Sequence, residues 1–290
     1  MNTRSTRVIF FGTPDFAVSS LEALYASGYD IAAVVTQPDK PVGRKQVLTP
    51  SAVKICAQSH HTPVIQPQTL KKEKASGATF LEQFKNLKVD IAIVVAYGKI
   101  IPEYYLSVPT YGFINVHGSI LPEFRGPSPI HAAILQGLTH TGVTIMQLDA
   151  GMDTGAILTT RIVDIAARST TAELHDVLKI TGAQALVDTL PRYIDGDIQP
   201  IPQDEKRATY CHIITKEDGH ISLSDDARVN DRKIRAYTPW PGAYCIVEKK
   251  RVKILSARVE ENHLVIERVQ PEGKKPMMYD EYLKGNTPLC

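Results

Sequence analysis

Gly112-Phe-Ile-Asn115-Val-His117-Gly-Ser119-Ile-Leu-Pro122-Glu-Phe-Arg125-Gly-Pro127 carries an apolar strand straight into a polar, turn-forming segment. Phe113, Ile114 and Val116 form the short apolar run expected of a buried parallel strand, and the Pro/Gly-rich stretch after it must be loop. Strand side chains alternate with a period of two, so Asn115 and His117 point to one side. In an open α/β sheet, ligands bind beyond the carboxyl ends of the strands. An amide donor beside an imidazole at such a place can steady an oxyanion and move a proton. A hydrogen-bonded Asn and a structural His would occupy the same positions equally well, so these residues alone leave both roles open.

The chain has 290 residues, long for one core, and two domains are expected. A content of 43% hydrophobic and 22% charged residues is ordinary for a soluble globular protein. The formal net charge of +2 is too mild to mark a nucleic-acid binder by itself. Cys56, Cys211, Cys245 and Cys290 are scattered, with no CxxC pair and no metal-ligand spacing, which speaks against structural disulfides, a zinc site and any structural metal. No apolar run approaches the roughly 18 residues of a membrane span. Val8 to Phe11 is too short for a signal-peptide core, so a soluble, cytoplasmic protein without a membrane partner is expected.

Upstream of the opening stretch, Arg7-Val-Ile-Phe-Phe11 predicts the first strand and Gly12-Thr-Pro14-Asp15 the turn into a helix. Leu21, Leu24 and Tyr25 give that helix one apolar stripe, and Gly28 ends it. Ile31 to Val35 is a second strand. This β-loop-α-β opening resembles a nucleotide-binding unit, but GxGxxG is absent and Pro14 stands where close approach to a pyrophosphate needs Gly. A NAD-type dehydrogenase is therefore disfavoured. Thr36 to Pro50, with three prolines and a glycine, reads as an exposed loop carrying Lys40, Arg44 and Lys45. A loop of this length is either functional or a plain solvated connection. Val53 to Ser59 and Phe80 to Leu87 are expected helices. Val89 to Val95 is a β-branched strand buried on both faces that runs into Ala96-Tyr97-Gly98-Lys99. Pro102 to Leu106 and Ile130 to Leu135 are short helices.

Downstream, Gly142 to Met146 is the next strand, and Leu148-Asp149-Ala-Gly151-Met-Asp153-Thr-Gly155 a tight turn holding two carboxylates. If this strand neighbours the Asn115/His117 strand, Asp153 can reach His117, where a carboxylate fixes the imidazole tautomer and raises its basicity. Otherwise Asp149 and Asp153 merely cap the turn. Ile157 to Val163 is a further strand. Ser169-Thr-Thr-Ala-Glu173 offers an N-cap and a capping-box glutamate for a long amphipathic helix through Leu174, Leu178, Leu186 and Leu190. The remaining histidines, His60 and His175 among them, are expected to be packed or solvated. Ile198-Gln-Pro-Ile-Pro202-Gln-Asp-Glu is an extended linker. Beyond it come short alternating strands and basic runs at 232–235 and 249–253, with 16 Lys+Arg against 12 Asp+Glu over 206–290. That balance fits a small β-rich module with a polyanion-facing side, or simply a solvated face. Pro239-Trp240-Pro241-Gly242 reads as a structural corner.

Together these motifs resemble those of the 10-formyltetrahydrofolate-dependent formyltransferases, and within them the methionyl-tRNA formyltransferases. The wider family's signature, Asn-x-His-x-Ser-[Leu/Ile]-Leu-Pro followed by Arg-Gly and a downstream Asp-x-Gly-x-Asp-x-Gly turn, is matched residue by residue at Asn115, His117 and Asp153. It identifies formyl chemistry but not the acceptor, because sugar-nucleotide and glycinamide-nucleotide formyltransferases and formyl-folate hydrolases share it. Phe11-Gly-Thr-Pro-Asp-Phe16, Thr36-Gln-Pro-Asp-Lys-Pro-Val-Gly-Arg44 and Arg235-Ala-x-x-Pro-Trp-Pro-Gly242 are similar to the tRNA branch, the loop being the most discriminating.

The resemblance implies an α/β protein with a Rossmann-like catalytic domain over 1–197, a linker over 198–206 and a shortened OB-like tRNA-binding domain over 207–290. It implies Asn115, His117 and Asp153 as catalytic residues, and 10-formyltetrahydrofolate as donor. Ser119, Ile120, Leu121, Pro122, Val95, Tyr97, Gly98 and Asp149 would flank the folate, and Lys40, Arg44 and Lys45 the acceptor arm of methionyl-initiator tRNA. A monomer is expected. The sequence departs from the family in two places. Arg44-Lys-Gln-Val replaces a loop richer in Gly and Lys, and only 48 residues follow Gly242, short for a complete barrel.

Overall fold

A computed structural model describes residues 6–43 and 45–289. Arg44, expected at the RNA-facing loop, lies outside the described residues. In chain order the elements are β1 (Arg7–Gly12), α1 (Asp15–Ala26), β2 (Asp30–Val35), β3 (Lys40–Val42), β4 (Val47–Thr49), α2 (Ala52–Ser59), β5 (Val64–Ile65), α3 (Ala75–Asn86), β6 (Ile91–Val95), α4 (Glu103–Leu106) and β7 (Phe113–His117). They continue with α5 (Pro129–Leu135), β8 (His140–Gln147), β9 (Ile157–Asp164), α6 (Thr171–Ile194), α7 (Ala227–Ala236), β10 (Tyr244–Val247), β11 (Lys250–Glu260), β12 (His263–Pro271), β13 (Met277–Met278) and α8 (Tyr279–Leu283). The chain divides into two compact units. One takes residues up to 125, 142–163 and 176–209; the other takes 126–141, 164–175 and 210 onward.

The first unit is built on a seven-stranded sheet of order β5-β2-β1-β6-β7-β8-β9. Its pairings from β5 through β7 are parallel, and β8 runs antiparallel to β7. Every residue of β6 and β7 is buried, as apolar runs flanked on both faces must be. A buried aromatic group packs against these strands: Phe11 lies 6.2 Å from both Phe80 and Phe84 and 5.4 Å from Tyr97, and Phe84 lies 5.9 Å from Phe113, centroid to centroid. Such edge and tilted pairs each add about 0.5–1.5 kcal/mol beyond their buried area, so the three strands feeding the site are held from one side by a stiff layer.

Three local readings change. Thr36 to Pro50 is not a plain loop: β3 and β4 form an antiparallel hairpin across Lys40↔Thr49 and Val42↔Val47. α3 begins at Ala75 rather than Phe80, because its first turn (Ala-Ser-Gly-Ala) consists of small residues that leave no mark on an apolar stripe. The 198–206 stretch is extended but not loose: Ile201 exchanges both main-chain hydrogen bonds with Ile157 at the start of β9, at 2.8 and 2.9 Å. The capping box before α6 is made by Thr170, whose Oγ1 accepts from Glu173 N while Glu173 Oε2 accepts from Thr170 N.

The second unit carries a four-stranded antiparallel sheet of order β10-β11-β12-β13. Among the described residues its outer strands do not pair with each other, so the sheet is open. Ile221, Ile234, Val252, Ile254, Val269 and Tyr282 are buried together as its core. Ile234 comes from α7, a helix absent from the all-strand expectation. Asp226 Oδ1 caps it by accepting from Arg228 N and Val229 N. The basic run at 232–235 thus lies on a helix, where Lys233 pairs with Asp225 at 2.9 Å and Arg235 with Asp231 at 2.9 Å.

Candidate active site

Asn115 and His117 lie on β7 two residues apart, 8% and 6% exposed. The register sets Asn115 opposite Val94 of β6 and Met146 of β8, and His117 opposite Thr144. His117 Nε2 lies 3.0 Å from the main-chain carbonyl of Phe124. A carbonyl can only accept, so Nε2 carries the proton. Nδ1 then faces Asp153 Oδ2 at 3.6 Å, too far for a direct hydrogen bond but within ion-pair reach of a protonated ring. The expectation that the carboxylate fixes the tautomer is thereby corrected. The Phe124 carbonyl fixes it, and the Asp153 carboxylate faces the other ring nitrogen.

Asp153 adopts a left-handed backbone conformation, with φ of 54°. Its carbonyl and that of Gly155 each accept a 2.8 Å hydrogen bond from Gln203 Nε2. Gln203 Oε1 in turn accepts from Arg125 Nε at 3.0 Å and Nη2 at 2.8 Å. Arg125 has no solvent exposure at all, and its guanidinium also grips Glu205 with both oxygens, at 2.7 and 2.9 Å. Hydrogen bonding to that guanidinium holds the Glu205 carboxyl below its usual range. Sequence reading passes over Gln203 as linker; its signal was only that a polar residue follows two prolines.

Ser119 to Pro122 form a tightly tied turn. Ser119 Oγ donates to Glu123 O at 2.6 Å, Thr144 Oγ1 donates to Ser119 O at 2.7 Å, and Leu121 N donates back to Thr144 Oγ1 at 3.1 Å. The Leu121–Pro122 bond is cis, and Ile120 packs near Gly142. Val95 ends β6, fully buried. Tyr97 inserts its ring into the aromatic layer, and its carbonyl already accepts from Thr13 Oγ1 and Gln37 Nε2. Burial raises the Tyr97 phenol well above its ordinary value. Gly98 has φ of 78° with Gln37 packed against it, a place where a side chain would be strained and crowded. Asp149 Oδ1 accepts from Gly151 N and Thr154 Oγ1, so it caps its own turn. An open cleft of about 600 Å³ borders that turn, lined by Glu103, Tyr104, Leu106, Ser107, Asp149 and Ala150.

On the β3–β4 hairpin, Lys40 Nζ donates to Gln37 Oε1 at 2.6 Å, and Lys45 is exposed. The hairpin's root is tied by residues the sequence did not single out. Lys54 Nζ pairs with Asp39 at 2.7 Å, and Gln66 Nε2 donates to Asp39 Oδ1 and Gln37 O. Those bonds, Lys54 first, hold the Asp39 carboxyl below its usual range.

Residues 6–190 match the family model for formyl transferases, and residues 213–264 match that for the formyl transferase C-terminal domain. The chain belongs to the formyl transferase family. It is 47% identical to a methionyl-tRNA formyltransferase of Chloroflexus aurantiacus, over 87% of this chain and 80% of that one. Among solved structures, the methionyl-tRNA formyltransferase from Clostridium thermocellum shares the fold with a TM-score of 0.60 at 18% identity, over 92% of this chain and 98% of that one. An N-formyltransferase from Helicobacter canadensis, in complex with folinic acid and dTDP-3-aminofucose, does so with a TM-score of 0.66 at 20% identity, over 94% and 98%. No helix among the described residues of this formyl transferase is long and apolar enough to cross a membrane.

Proposed function

We propose that this enzyme transfers a formyl group from 10-formyltetrahydrofolate to the α-amine of methionyl-initiator tRNA, acting as a cytoplasmic monomer in translation initiation. The observation that carries the chemistry is a buried imidazole pinned through Nε2 by a main-chain carbonyl, with Nδ1 turned to a carboxylate beside an amide. The acceptor assignment draws on the relatives named above and on the basic hairpin. Residues 1–197 would carry catalysis and 207–290 would track the RNA. The donor set suits a formyl group: amide and imidazole donors, with the hydroxyl of Ser119 already committed to Glu123 O. The cleft beside the Asp149 turn is of the size that takes a drug-sized ligand.

Asn115 and the protonated Nδ1 of His117 donate hydrogen bonds to the formyl oxygen as the amine attacks the formyl carbon. Negative charge develops on that oxygen only in the transition state, so these donors act where they lower the barrier. Asp153 holds the imidazolium. As the new amide bond forms and the bond to the folate nitrogen breaks, one proton leaves the amine and one reaches that nitrogen. Nδ1, facing Asp153, is the ring atom placed to hand its own proton to that nitrogen and to take the amine's proton in its place.

The test is formyl transfer to methionyl-initiator tRNA, run beside an amino sugar nucleotide and a water-only control. Fast tRNA-dependent product is expected. Formate released in water, or transfer to the amino sugar alone, would overturn the acceptor assignment and leave a hydrolase or a sugar-nucleotide enzyme. Removing the charges of Lys40 and Arg44 together should raise KM for tRNA and flatten its salt dependence by roughly one logarithmic unit of slope per charge. The KM for the folate should stay the same, and a matching rise there would refute the hairpin's role.

A further inference from the structure

Away from this site, the first unit brings three donors of different chemistry onto one carboxylate. Glu22 lies on α1, Cys56 on α2 and His60 at the C-terminal cap of α2. Cys56 Sγ donates to Glu22 Oε1 at 3.1 Å, and His60 Nε2 meets Glu22 Oε2 at 2.9 Å. The thiol sulfur, the imidazole nitrogen and a carboxylate oxygen all fall within 4.8 Å of one another. Cys56 and His60 are four residues apart, one helical turn, so they project from one face of α2 towards α1. The ring of His60 is held by stacking on Tyr25, 3.9 Å between centroids and 11° between planes. Tyr25 is fixed in turn by a 2.6 Å hydrogen bond from its hydroxyl to Thr62 Oγ1. Cys56 is 7% exposed, whereas the side chains of Glu22 and His60 are 50% and 36% exposed.

From this geometry we infer that Glu22, Cys56 and His60 form a binding site for a thiophilic divalent cation of the zinc class, with a fourth position open to water. Tetrahedral zinc bonds of about 2.0–2.3 Å set its ligand atoms roughly 3.5 Å apart, so the two pairs to Glu22, at 3.1 and 2.9 Å, need only small shifts and the sulfur and nitrogen, within 4.8 Å, the largest one. Sulfur, nitrogen and one carboxylate oxygen suit zinc or cobalt and do not suit magnesium or calcium, which require oxygen cages. Hydrogen bonds already assemble the ligands before any metal arrives, and stacking on Tyr25 orients the imidazole. Binding breaks the Cys56 S–H bond and forms an S–metal bond, its proton going to the buffer, while the neutral His60 ring shifts its proton from Nε2 to Nδ1 so that the Nε2 lone pair can ligate. Because the ligands come from two helices, the cation would staple α1 to α2. The scattered cysteines concealed this arrangement: Cys-x3-His is visible in the chain, but its third ligand lies 34 residues earlier than Cys56.

The test uses the full-length, metal-free protein and cobalt(II), followed by zinc(II) in competition. The expected result is one equivalent of cobalt with a near-ultraviolet thiolate-to-metal band, displaced by zinc with release of one proton per metal. Cys56→Ser should abolish the band. Glu22→Gln and His60→Gln, at exposed positions that leave folding intact, should each weaken zinc binding at least about tenfold and remove the rise in melting temperature that zinc gives the unaltered protein. Absence of a thiolate band would overturn the assignment. So would a band that survives Cys56→Ser, or zinc binding that is indifferent to Glu22→Gln.

Discussion

His117→Ala is expected to lower kcat for formyl transfer by about 100- to 1,000-fold, with the protein still folded and the KM values little changed. The size follows from the ring's placement. Its Nε2 is committed to the Phe124 carbonyl, so in the proposed mechanism Nδ1 alone is left both to donate to the formyl oxygen and to exchange the proton. Removing the ring removes both. Asp153→Asn keeps the shape and takes away the carboxylate charge that faces Nδ1 across 3.6 Å. Because the two side chains act as one unit, His117→Ala/Asp153→Asn should be no slower than His117→Ala by more than a few-fold. Single-turnover rates with circular dichroism as a folding control would measure this. A double variant whose loss is the product of the two single losses would mean that Asp153 works independently of His117.

Arg125→Ala is expected to cost about 3 kcal/mol of stability, seen as a fall of roughly 6–12 °C in the melting transition of the first unit. Arg125 is wholly buried, so its loss opens a cavity and leaves Gln203 Oε1 without its two donors. The exposed Glu205 contributes little to that figure. Arg125→Lys should not restore the loss, since an ammonium cannot present the planar fork that meets Gln203 and Glu205 together. Activity should fall with stability for a separable reason: Gln203 holds the main chain on either side of Thr154, and Asp153 rides on it. Gln203→Ala should therefore lower kcat by up to about 100-fold with a smaller loss of stability than Arg125→Ala. Calorimetry and steady-state kinetics on the same preparations distinguish the two effects, and unchanged kcat in Gln203→Ala would dismiss the clamp.

The parts of this fold that announce themselves in the chain are those set by periodicity. β1, β6 and β7 are apolar runs bounded by turns, and the spacing of Asn115 and His117 is the strand period itself. The arrival of Asp153 needed one further condition, that β8 lie beside β7, and the sheet meets it in antiparallel sense. What stayed hidden was made by main-chain atoms or by polar residues far apart in sequence. No side-chain pattern announces that the Phe124 carbonyl, on a residue with φ of 57°, will hold the imidazole. Arg125 and Gln203 are 78 residues apart, and each alone looks like surface. β3 and β4 were masked by prolines, which usually argue against a strand but are tolerated in a ribbon whose edges face solvent. α7 was masked by its charges, since a stripe as narrow as Ala227, Asn230 and Ile234 hardly registers as apolar.

The β3–β4 ribbon has every strand residue exposed, Val42, Val47 and Leu48 by more than half, yet Asp39, Lys54 and Gln66 clamp its root. A two-stranded ribbon with no layer beneath it is marginal in water. Its amides should therefore exchange with deuterium through a local opening orders of magnitude faster than those of β6, without the surrounding sheet melting. The arm is thus a separately melting piece on a fixed mount: whatever seats against it supplies the missing layer, gives up part of its binding energy to order it, and gains a surface that adapts in shape without disturbing the strand that carries the imidazole.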